Sequence, residues 1–201
     1  MKECSQIISY LLHPLFIPIG GTVCYFLITP KYTPLEIQSA NILPIFILTV
    51  IIPIVTFFIL RNIGLVSSVF LENATERKYP LYIHISLLLL ILYQVIPNNY
   101  VSEIYFYFAG LLGAAMTCLL LLLFKFKVSL HMVGISGLLM FLISLSIHFE
   151  INLIIAISML IILTGGVASA RLYLNAHTKL EVLIGLMVGM LSQLLTVQYW
   201  L

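Results

Sequence analysis

Apolar runs such as "EIYFYFAGLLGAAMTCLLLLLF", residues 103–124, decide the fold, and the only charged residue in this run is Glu103 at its start. A run of about 20 apolar residues is long enough to cross the hydrocarbon core of a bilayer as a helix. Its residues do not alternate between polar and apolar, and the run is about twice the length of a strand in a membrane barrel. The stretch therefore predicts a transmembrane α-helix.

Comparable runs lie on both sides of this segment. Together the runs comprise residues 7–29, 39–60, 80–97, 103–124, 130–148, 151–170 and 180–200. The chain of 201 residues is 62% hydrophobic and 8% charged, whereas about 25% of the residues of a soluble domain are charged. We predict an all-α, polytopic transmembrane helix bundle of about seven spans, in which residues 1–201 form a single integral membrane domain.

The charge and the cysteine positions exclude several classes of ligand and modification. A formal net charge of +2 is too small to indicate binding to nucleic acid. The cysteines Cys4, Cys24 and Cys118 have no metal-ligand spacing and predict no disulfide framework. The first run has neither a strong basic region before it nor a small-residue cleavage site after it, so we expect a retained span and no signal peptide. No pattern indicates an oligomeric state.

The basic residues gather on one side of the predicted bundle. If each run crosses the bilayer, the N-terminus shares a side with residues 61–79, 125–129 and 171–179. That side receives Lys2, Arg61, Arg77, Lys78, Lys125, Lys127, Arg171 and Lys179. Only Lys31 lies on the opposite side. By the positive-inside rule, the side rich in Lys and Arg faces the cytoplasm.

The stretch "ARLYLNAHTKLEVLIG", residues 170–185, places several ionisable groups between two apolar runs. If the last helix begins near Thr178, a spacing of four residues puts His177 and Glu181 on one side of its start. A carboxylate that accepts a hydrogen bond from one imidazole nitrogen leaves the other nitrogen free as a nucleophile. Arg171 offers a planar guanidinium that suits phosphate oxygens. A phosphoryl-binding site is indicated.

A second polar loop, residues 125–134, lies on the same side. Ser129 and His131 precede a predicted span. The Ser129 hydroxyl can cap that helix or donate to a phosphate oxygen, and His131 can protonate a leaving oxygen. Lys127 is a candidate for additional positive charge. Taken alone, His131 is more typical of a helix-end residue with a local hydrogen bond.

The third polar loop, residues 71–82, carries Arg77 and Lys78 shortly before Pro80. Proline is favoured in the first turn of a helix, so we expect the third span to begin at Pro80. Arg77 and Lys78 are candidate phosphate contacts. Ordinary charges flanking a span are the alternative for both residues.

These loops resemble the motifs of the type 2 phosphatidic acid phosphatase superfamily, which includes lipid phosphatases and related haloperoxidases. The family motifs read Lys-xxxxxx-Arg-Pro, Pro-Ser-Gly-His and Ser-Arg-xxxxx-His-xxx-Asp. The third motif aligns with Ala170-Arg171, His177 and Glu181, and the second aligns with Val128-Ser129-Leu130-His131. The resemblance covers roughly residues 70–190 and implies a phosphatase-like core there; a six-helix core of the family type is the alternative to seven spans.

The resemblance implies a role for each matched residue. His177 would be the nucleophile that forms a phosphohistidine, Glu181 would orient it, His131 would protonate the leaving group, and Arg171 would hold the phosphate. The other candidate phosphate-binding residues are Ser129, Arg77, Lys78 and Lys127. The resemblance further implies a reaction without metal or other cofactor, on a lipid phosphate or pyrophosphate taken from the bilayer.

Departures from the motifs leave a second function open. Ala170 stands where the family has Ser, Glu181 where it has Asp, and Leu130 where it has Gly. In the first motif, Tyr79 replaces Arg and Glu72 replaces Lys. The alternative is therefore a catalytically impaired relative that binds a lipid head group or a partner protein. A small transporter is disfavoured because the polar groups gather at one face and not at the midplane of the bilayer.

The resemblance implies an integral protein of a bacterial inner membrane with an extracytoplasmic site, whereas the distribution of Lys and Arg places the same side in the cytoplasm. His13 and His84 lie towards this side and are interpreted as bundle residues with satisfied hydrogen bonds. The glycines at close helical spacing predict helix-packing surfaces. These glycines are Gly134, Gly137, Gly185 and Gly189.

Overall fold

The computed structural model describes residues 2–67, 74–96 and 101–201, and no strand occurs in these ranges. Glu72, at the first-motif Lys position, and residue 97, at the end of the third predicted span, lie outside the described residues. The α-helices are α1 (Lys2–Leu11), α2 (Ile17–Ile28), α3 (Leu35–Phe46), α4 (Ile52–Asn62), α5 (Ala74–Leu90), α6 (Ser102–Leu123), α7 (Leu130–His148), α8 (Ile154–Tyr173) and α9 (Lys179–Val197).

The predicted all-α bundle is confirmed. Among the described residues, 7 helical segments are long and apolar enough to cross a membrane. These segments are Lys2–Ile28, Leu35–Asn62, Glu76–Val95, Ser102–Leu123, Leu130–His148, Ile154–Tyr173 and Lys179–Val197. Each overlaps one of the predicted runs. The agreement follows from the length of the apolar runs, which the thickness of a bilayer fixes.

The first two spans are irregular at proline. A short 3₁₀ turn, Pro14–Phe16, separates α1 from α2. His13 caps this turn, because its Nδ1 accepts a hydrogen bond from the Leu15 amide at 3.2 Å. In the second span a π-helical turn, Ile47–Ile51, joins α3 to α4 just before Pro53. A proline lacks the amide that would continue the helical ladder, so a widened turn beside it has a physical cause.

The expected start of the third span is wrong. α5 begins at Ala74, and Pro80 lies inside the helix. The sequence predicts Pro80 in the first turn because the amides of that turn have no helical partner, so a residue without an amide hydrogen costs no bond there. The helix instead begins earlier, so Arg77 and Lys78 are helical residues and not part of the preceding loop.

Several helices end in the same way. A residue at positive φ follows the helix, and its amide and the next amide both donate to carbonyls of the last helical turn. After α8, Asn175 has φ 52°, its amide donates to the Leu172 carbonyl at 3.0 Å, and the Ala176 amide donates to the Arg171 carbonyl at 3.1 Å. This is a Schellman motif, which satisfies the last carbonyls of a helix. It turns the chain sharply after α8 and brings His177 back beside the end of that helix.

α7 is the most deeply buried span, and glycine lets α9 approach it closely. A Cβ atom at Gly189 would overlap the Val133 carbonyl oxygen and the Ser136 hydroxyl. A Cβ atom at Gly185 would lie 2.8 Å from the Ser129 carbonyl oxygen. The Ser136 hydroxyl also donates across the interface to the Leu186 carbonyl at 3.0 Å. The predicted packing surface on α9 is confirmed.

A carboxylate is buried at one end of the bundle. Glu103, at the start of α6, is 3% exposed. It accepts a hydrogen bond from the Tyr25 hydroxyl at 3.0 Å and lies 3.4 Å from the Lys31 ammonium group. His148, at the end of α7, is 4.0 Å away. These partners tie the ends of α2 and α7 to the start of α6.

Candidate functional site

A cavity with a volume of about 230 Å³ opens at the other end of the bundle. For comparison, an engineered cavity of about 150 Å³ in another protein is sufficient to bind benzene, so this cavity has room for a small ligand. The polar wall of the cavity in this bundle consists of Ser9, His13, Arg77, His84, His131, Arg171 and His177. Every histidine of the chain except His148 is in this wall. The cavity therefore brings together residues from all three polar loops, together with residues of the first span.

The start of α9 holds His177 and Glu181 in one arrangement. Thr178 caps the helix in a capping box: its hydroxyl accepts from the Glu181 amide, and the Glu181 carboxylate accepts from the Thr178 amide. The same carboxylate oxygen lies 2.8 Å from His177 Nδ1. Because an ionised carboxylate only accepts hydrogen bonds, the proton of a neutral imidazole is on Nδ1. His177 Nε2 is left with a free lone pair, as the spacing predicted.

The pKa of His177 is lowered from the ordinary value of 6.5 to about 4. Burial is the main cause, and the positive charges of Arg77, Arg171 and Lys127 act in the same direction, while the hydrogen bond to Glu181 raises the pKa. The imidazole is thus neutral at neutral pH. A neutral imidazole with one nitrogen held by a carboxylate is suited to nucleophilic attack.

Arg171 is the buried cation of the cavity. It is 4% exposed, and its Nη1 donates to the Ser9 hydroxyl at 3.4 Å. Its Nε is buried without a hydrogen-bond partner, and no carboxylate of the described residues lies within salt-bridge distance of it. A buried guanidinium without a counter-ion is costly. A bound anion would compensate the charge of Arg171, so the cavity is suited to bind an anion.

His131, in the first turn of α7, lies against the first span. Its Nε2 is 3.0 Å from the Ser9 carbonyl oxygen. Because a carbonyl only accepts hydrogen bonds, Nε2 carries a proton, and Nδ1 is the nitrogen that can exchange a proton with a ligand. The ring centroid of His13 is 5.2 Å from that of His131, with the ring planes nearly perpendicular.

The other predicted phosphate-binding residues differ in position. Arg77 lines the cavity, and its Nη1 lies 3.5 Å from the Val128 carbonyl oxygen. Lys127 is half-buried and near enough to His177 to lower the pKa of that residue. The Lys78 ammonium group lies over the Tyr79 ring, 5.0 Å from its centroid, and Lys78 is not part of the cavity wall.

Ser129 precedes α7 at the capping position, but its hydroxyl makes no capping hydrogen bond. The hydroxyl is fully buried and has no partner among the described residues. The Ser129 amide instead donates to the Glu181 carbonyl at 3.3 Å. Ser129 therefore joins the start of α7 to the first turn of α9, and it does not contribute to the cavity wall.

Sequence reasoning missed part of the site. Ser9, His13 and His84 line the cavity, whereas the sequence predicts His13 and His84 to be bundle residues with satisfied hydrogen bonds. A histidine inside an apolar span is a sufficient signal to suspect function, and it applied to both histidines. No local pattern marks Ser9, because its importance arises from contacts with residues distant in the chain.

The chain matches no protein-family model, no curated protein and no solved structure. The resemblance to the type 2 phosphatidic acid phosphatases therefore rests on the residues quoted above and stays a prediction. Among the described residues, no group of three or more His, Cys, Asp or Glu side chains is placed to hold a metal ion.

Proposed function

We propose that the protein is a membrane-embedded phosphatase that hydrolyses a lipid phosphate or pyrophosphate through a phosphohistidine intermediate. The observation that carries the proposal is the wall of one cavity, in which His177, His131 and Arg171 lie together. These groups supply a nucleophile, a proton donor and a cation. Phosphoryl transfer requires each of them near one phosphorus atom.

In the first step, His177 Nε2 attacks phosphorus in line with the leaving oxygen. The P–N bond forms and the P–O bond to the lipid alcohol or lipid phosphate breaks. His131, protonated at Nδ1 when the phosphate anion is bound, gives that proton to the leaving oxygen. Glu181 holds the Nδ1 proton of His177 and stabilises the positive charge that develops on the ring.

In the second step, water attacks the phosphohistidine. His131, now neutral, accepts a proton from that water, the P–N bond breaks, and inorganic phosphate leaves. His177 returns to its neutral form and His131 to its protonated form. Each group therefore ends the cycle in the state in which it began.

Charge stabilisation falls to the arginines. Arg171 and Arg77 face the cavity and bind the non-bridging oxygens, whose negative charge compensates the buried guanidinium of Arg171. Lys127 adds positive potential at the same end of the bundle. We assign Lys78 and Ser129 supporting roles only, since neither is in the cavity wall.

The apolar part of the cavity suits the hydrocarbon part of the substrate. The side chains of Leu111, Ala114, Ala115 and Cys118 on α6 form one side of it. A phosphate at the polar end can keep its acyl or prenyl chain among such residues, within the span. Candidate substrates are undecaprenyl pyrophosphate, phosphatidylglycerophosphate, phosphatidic acid and a lipid A phosphate, in a bacterial inner membrane.

The test is phosphate release from these lipids by purified protein in detergent, with no added metal and with EDTA. His177→Ala and Arg171→Ala should each lower the rate by at least about 100-fold. The matched controls are His148→Ala, at the opposite end of the bundle, and Arg61→Ala, an exposed residue of α4. Loss of activity on chelation would contradict the phosphohistidine mechanism.

One observation favours the second candidate, a relative that binds a head group without turnover. The hydroxyl of Ser129, the second-motif serine, is buried away from the cavity. Saturable binding of a lipid phosphate that depends on Arg171, together with no phosphate release from any substrate, would select this candidate.

A further inference from the structure

We propose that the first span belongs to the catalytic centre and that Ser9 and His13 are positioning residues, which orient the proton donor His131 and the phosphate-binding Arg171. This inference rests on the proposed phosphatase function. Both residues lie outside the segment of roughly 70–190 that resembles the phosphatase family. Both nevertheless form part of the cavity wall.

Ser9 contacts two functional groups at once. Its carbonyl oxygen accepts from His131 Nε2 at 3.0 Å, and its hydroxyl accepts from Arg171 Nη1 at 3.4 Å. The Ser9 hydroxyl donates its own proton to the Ser5 carbonyl at 2.9 Å. That donation leaves the oxygen lone pairs directed to Arg171, so the hydroxyl acts towards the guanidinium as an acceptor only.

The Ser9 carbonyl also selects the protonation pattern of His131. It keeps a proton on Nε2, so that Nδ1 is the nitrogen that transfers a proton to and from the substrate. If the His131 ring could rotate about its side-chain bonds, either nitrogen could face the substrate. The backbone of the first span therefore determines that Nδ1 of His131, and not Nε2, transfers the proton.

His13 limits the motion of the same ring from a second direction. Its own orientation is fixed, because Nδ1 accepts from the Leu15 amide at 3.2 Å. The His13 ring then packs almost perpendicular to the His131 ring. The break between α1 and α2 leaves the Leu15 amide without an α-helical acceptor, so this amide can donate to His13 and hold its ring in place.

The test uses variants that keep the local fold. Ser9→Ala removes the acceptor of Arg171, and its control is Ser86→Ala, because the Ser86 hydroxyl makes the same kind of bond to the carbonyl four residues earlier, on an exposed face. His13→Asn keeps an acceptor for the Leu15 amide, since asparagine is a favoured capping residue, but removes the ring. Its control is His148→Asn, which removes a ring packed against Phe149 and Trp200.

The readout is kcat/KM for two phosphate monoesters, dodecyl phosphate and p-nitrophenyl phosphate. An alkoxide must be protonated as it leaves, whereas nitrophenolate leaves unaided, so a misplaced proton donor slows only the first substrate. We expect His13→Asn to lower kcat/KM about 10-fold for dodecyl phosphate and less than about 2-fold for p-nitrophenyl phosphate. Ser9→Ala should lower kcat/KM about 10-fold for both, because Arg171 binds phosphate in both.

Each outcome decides between the proposals. Ser9→Thr, which keeps the hydroxyl, should retain most of the activity. Wild-type rates in the Ser9 and His13 variants would overturn this inference and leave the phosphatase proposal standing. Equal losses on both substrates for His13→Asn, or losses equal to those of the control variants, would assign a merely structural role and overturn it as well. A wild-type protein that hydrolyses neither the esters nor the lipids would overturn both proposals together.

Discussion

At the scale of single residues, the central feature is the shared carboxylate of Glu181, which accepts from the Thr178 amide at 3.1 Å and lies 2.8 Å from His177 Nδ1. One side chain therefore completes a helix cap and orients the proposed nucleophile. The two roles have different requirements. A cap needs an oxygen acceptor, whereas an imidazole that becomes positively charged needs a negative charge nearby.

This difference can be tested with Glu181→Gln. Glutamine also completes a capping box, so the thermal unfolding temperature in detergent should change little. The loss of the negative charge should lower kcat for lipid phosphate hydrolysis by about 100-fold or more. Thr178→Ala is the control that weakens the cap and keeps the carboxylate; it should lower stability more than Glu181→Gln does. The reverse order of the two effects would contradict the assignment.

The lowered pKa of His177 gives a second prediction. Below its pKa, Nε2 is protonated and cannot attack; above it, the ring is neutral. Because burial and nearby cations lower the pKa to about 4, the ring should stay neutral from pH 7 down to about pH 5. An NMR titration of histidine-labelled protein, with the His177 signal identified from His177→Ala, measures the midpoint.

The Arg77→Ala variant is the companion measurement. Removal of one of the cations that lower the pKa of His177 should move the midpoint to higher pH. A wild-type midpoint at or above 6.5, the ordinary value for this side chain, would exclude the description of His177 as a buried, neutral nucleophile.

At the scale of helices, the close approach of α7 and α9 sets the geometry of the site, because the cavity residues His131 and His177 lie where these helices begin. Gly189→Ala would place a methyl group on the Val133 carbonyl oxygen and the Ser136 hydroxyl. We expect a loss of at least about 2 kcal/mol in the free energy of unfolding, since backbone cannot move aside cheaply. Urea or thermal unfolding in detergent measures it.

Gly165→Ala is the matched control for that variant. Gly165 lies within α8, and a Cβ atom there would meet nothing within 4 Å. Alanine is the better helix former, so this change should be neutral or stabilising by up to about 1 kcal/mol. Equal effects of the two substitutions would show that helix propensity, and not the contact between α7 and α9, determines the result.

Sequence reasoning succeeded where one local pattern determines the structure. The spans follow from runs of bilayer length, and the spacing of four residues places His177 and Glu181 on one side of the start of α9. Pro80 was misplaced because a proline is favoured in the first turn of a helix but is also tolerated inside a membrane-spanning helix, where neighbouring groups satisfy the freed backbone carbonyl. Ser9 and His13 were missed because their partners, His131 and Arg171, are neighbours only in the folded bundle.

At the scale of the whole molecule, the two chain ends lie on opposite sides if each of the 7 apolar helical segments among the described residues crosses the bilayer. The 7 segments predict that reporters fused to the N- and C-termini report opposite compartments, with the cavity on the N-terminal side. Paired alkaline phosphatase and fluorescent-protein fusions at each end measure this. Two fusions that report the same compartment would show that one segment does not cross the bilayer.

The same fusions decide the orientation. The family resemblance places the cavity outside the cytoplasm and hence the C-terminus inside, whereas the positive-inside rule implies the reverse. Basic residues recruited to bind an anion count in that rule as if they were topology signals. Arg77, Lys127 and Arg171 belong to this group in our proposal, although the remaining Lys and Arg residues still favour the cavity side as cytoplasmic. We follow the family resemblance and expect a cytoplasmic C-terminus.

The buried Glu103 has a consequence for biosynthesis. Its Tyr25 and Lys31 partners precede it in the chain, so both have left the ribosome before the carboxylate does. A nascent chain that has just released this carboxylate already contains a cation and a hydroxyl able to receive it, and membrane insertion of α6 need not wait for any residue still to be translated.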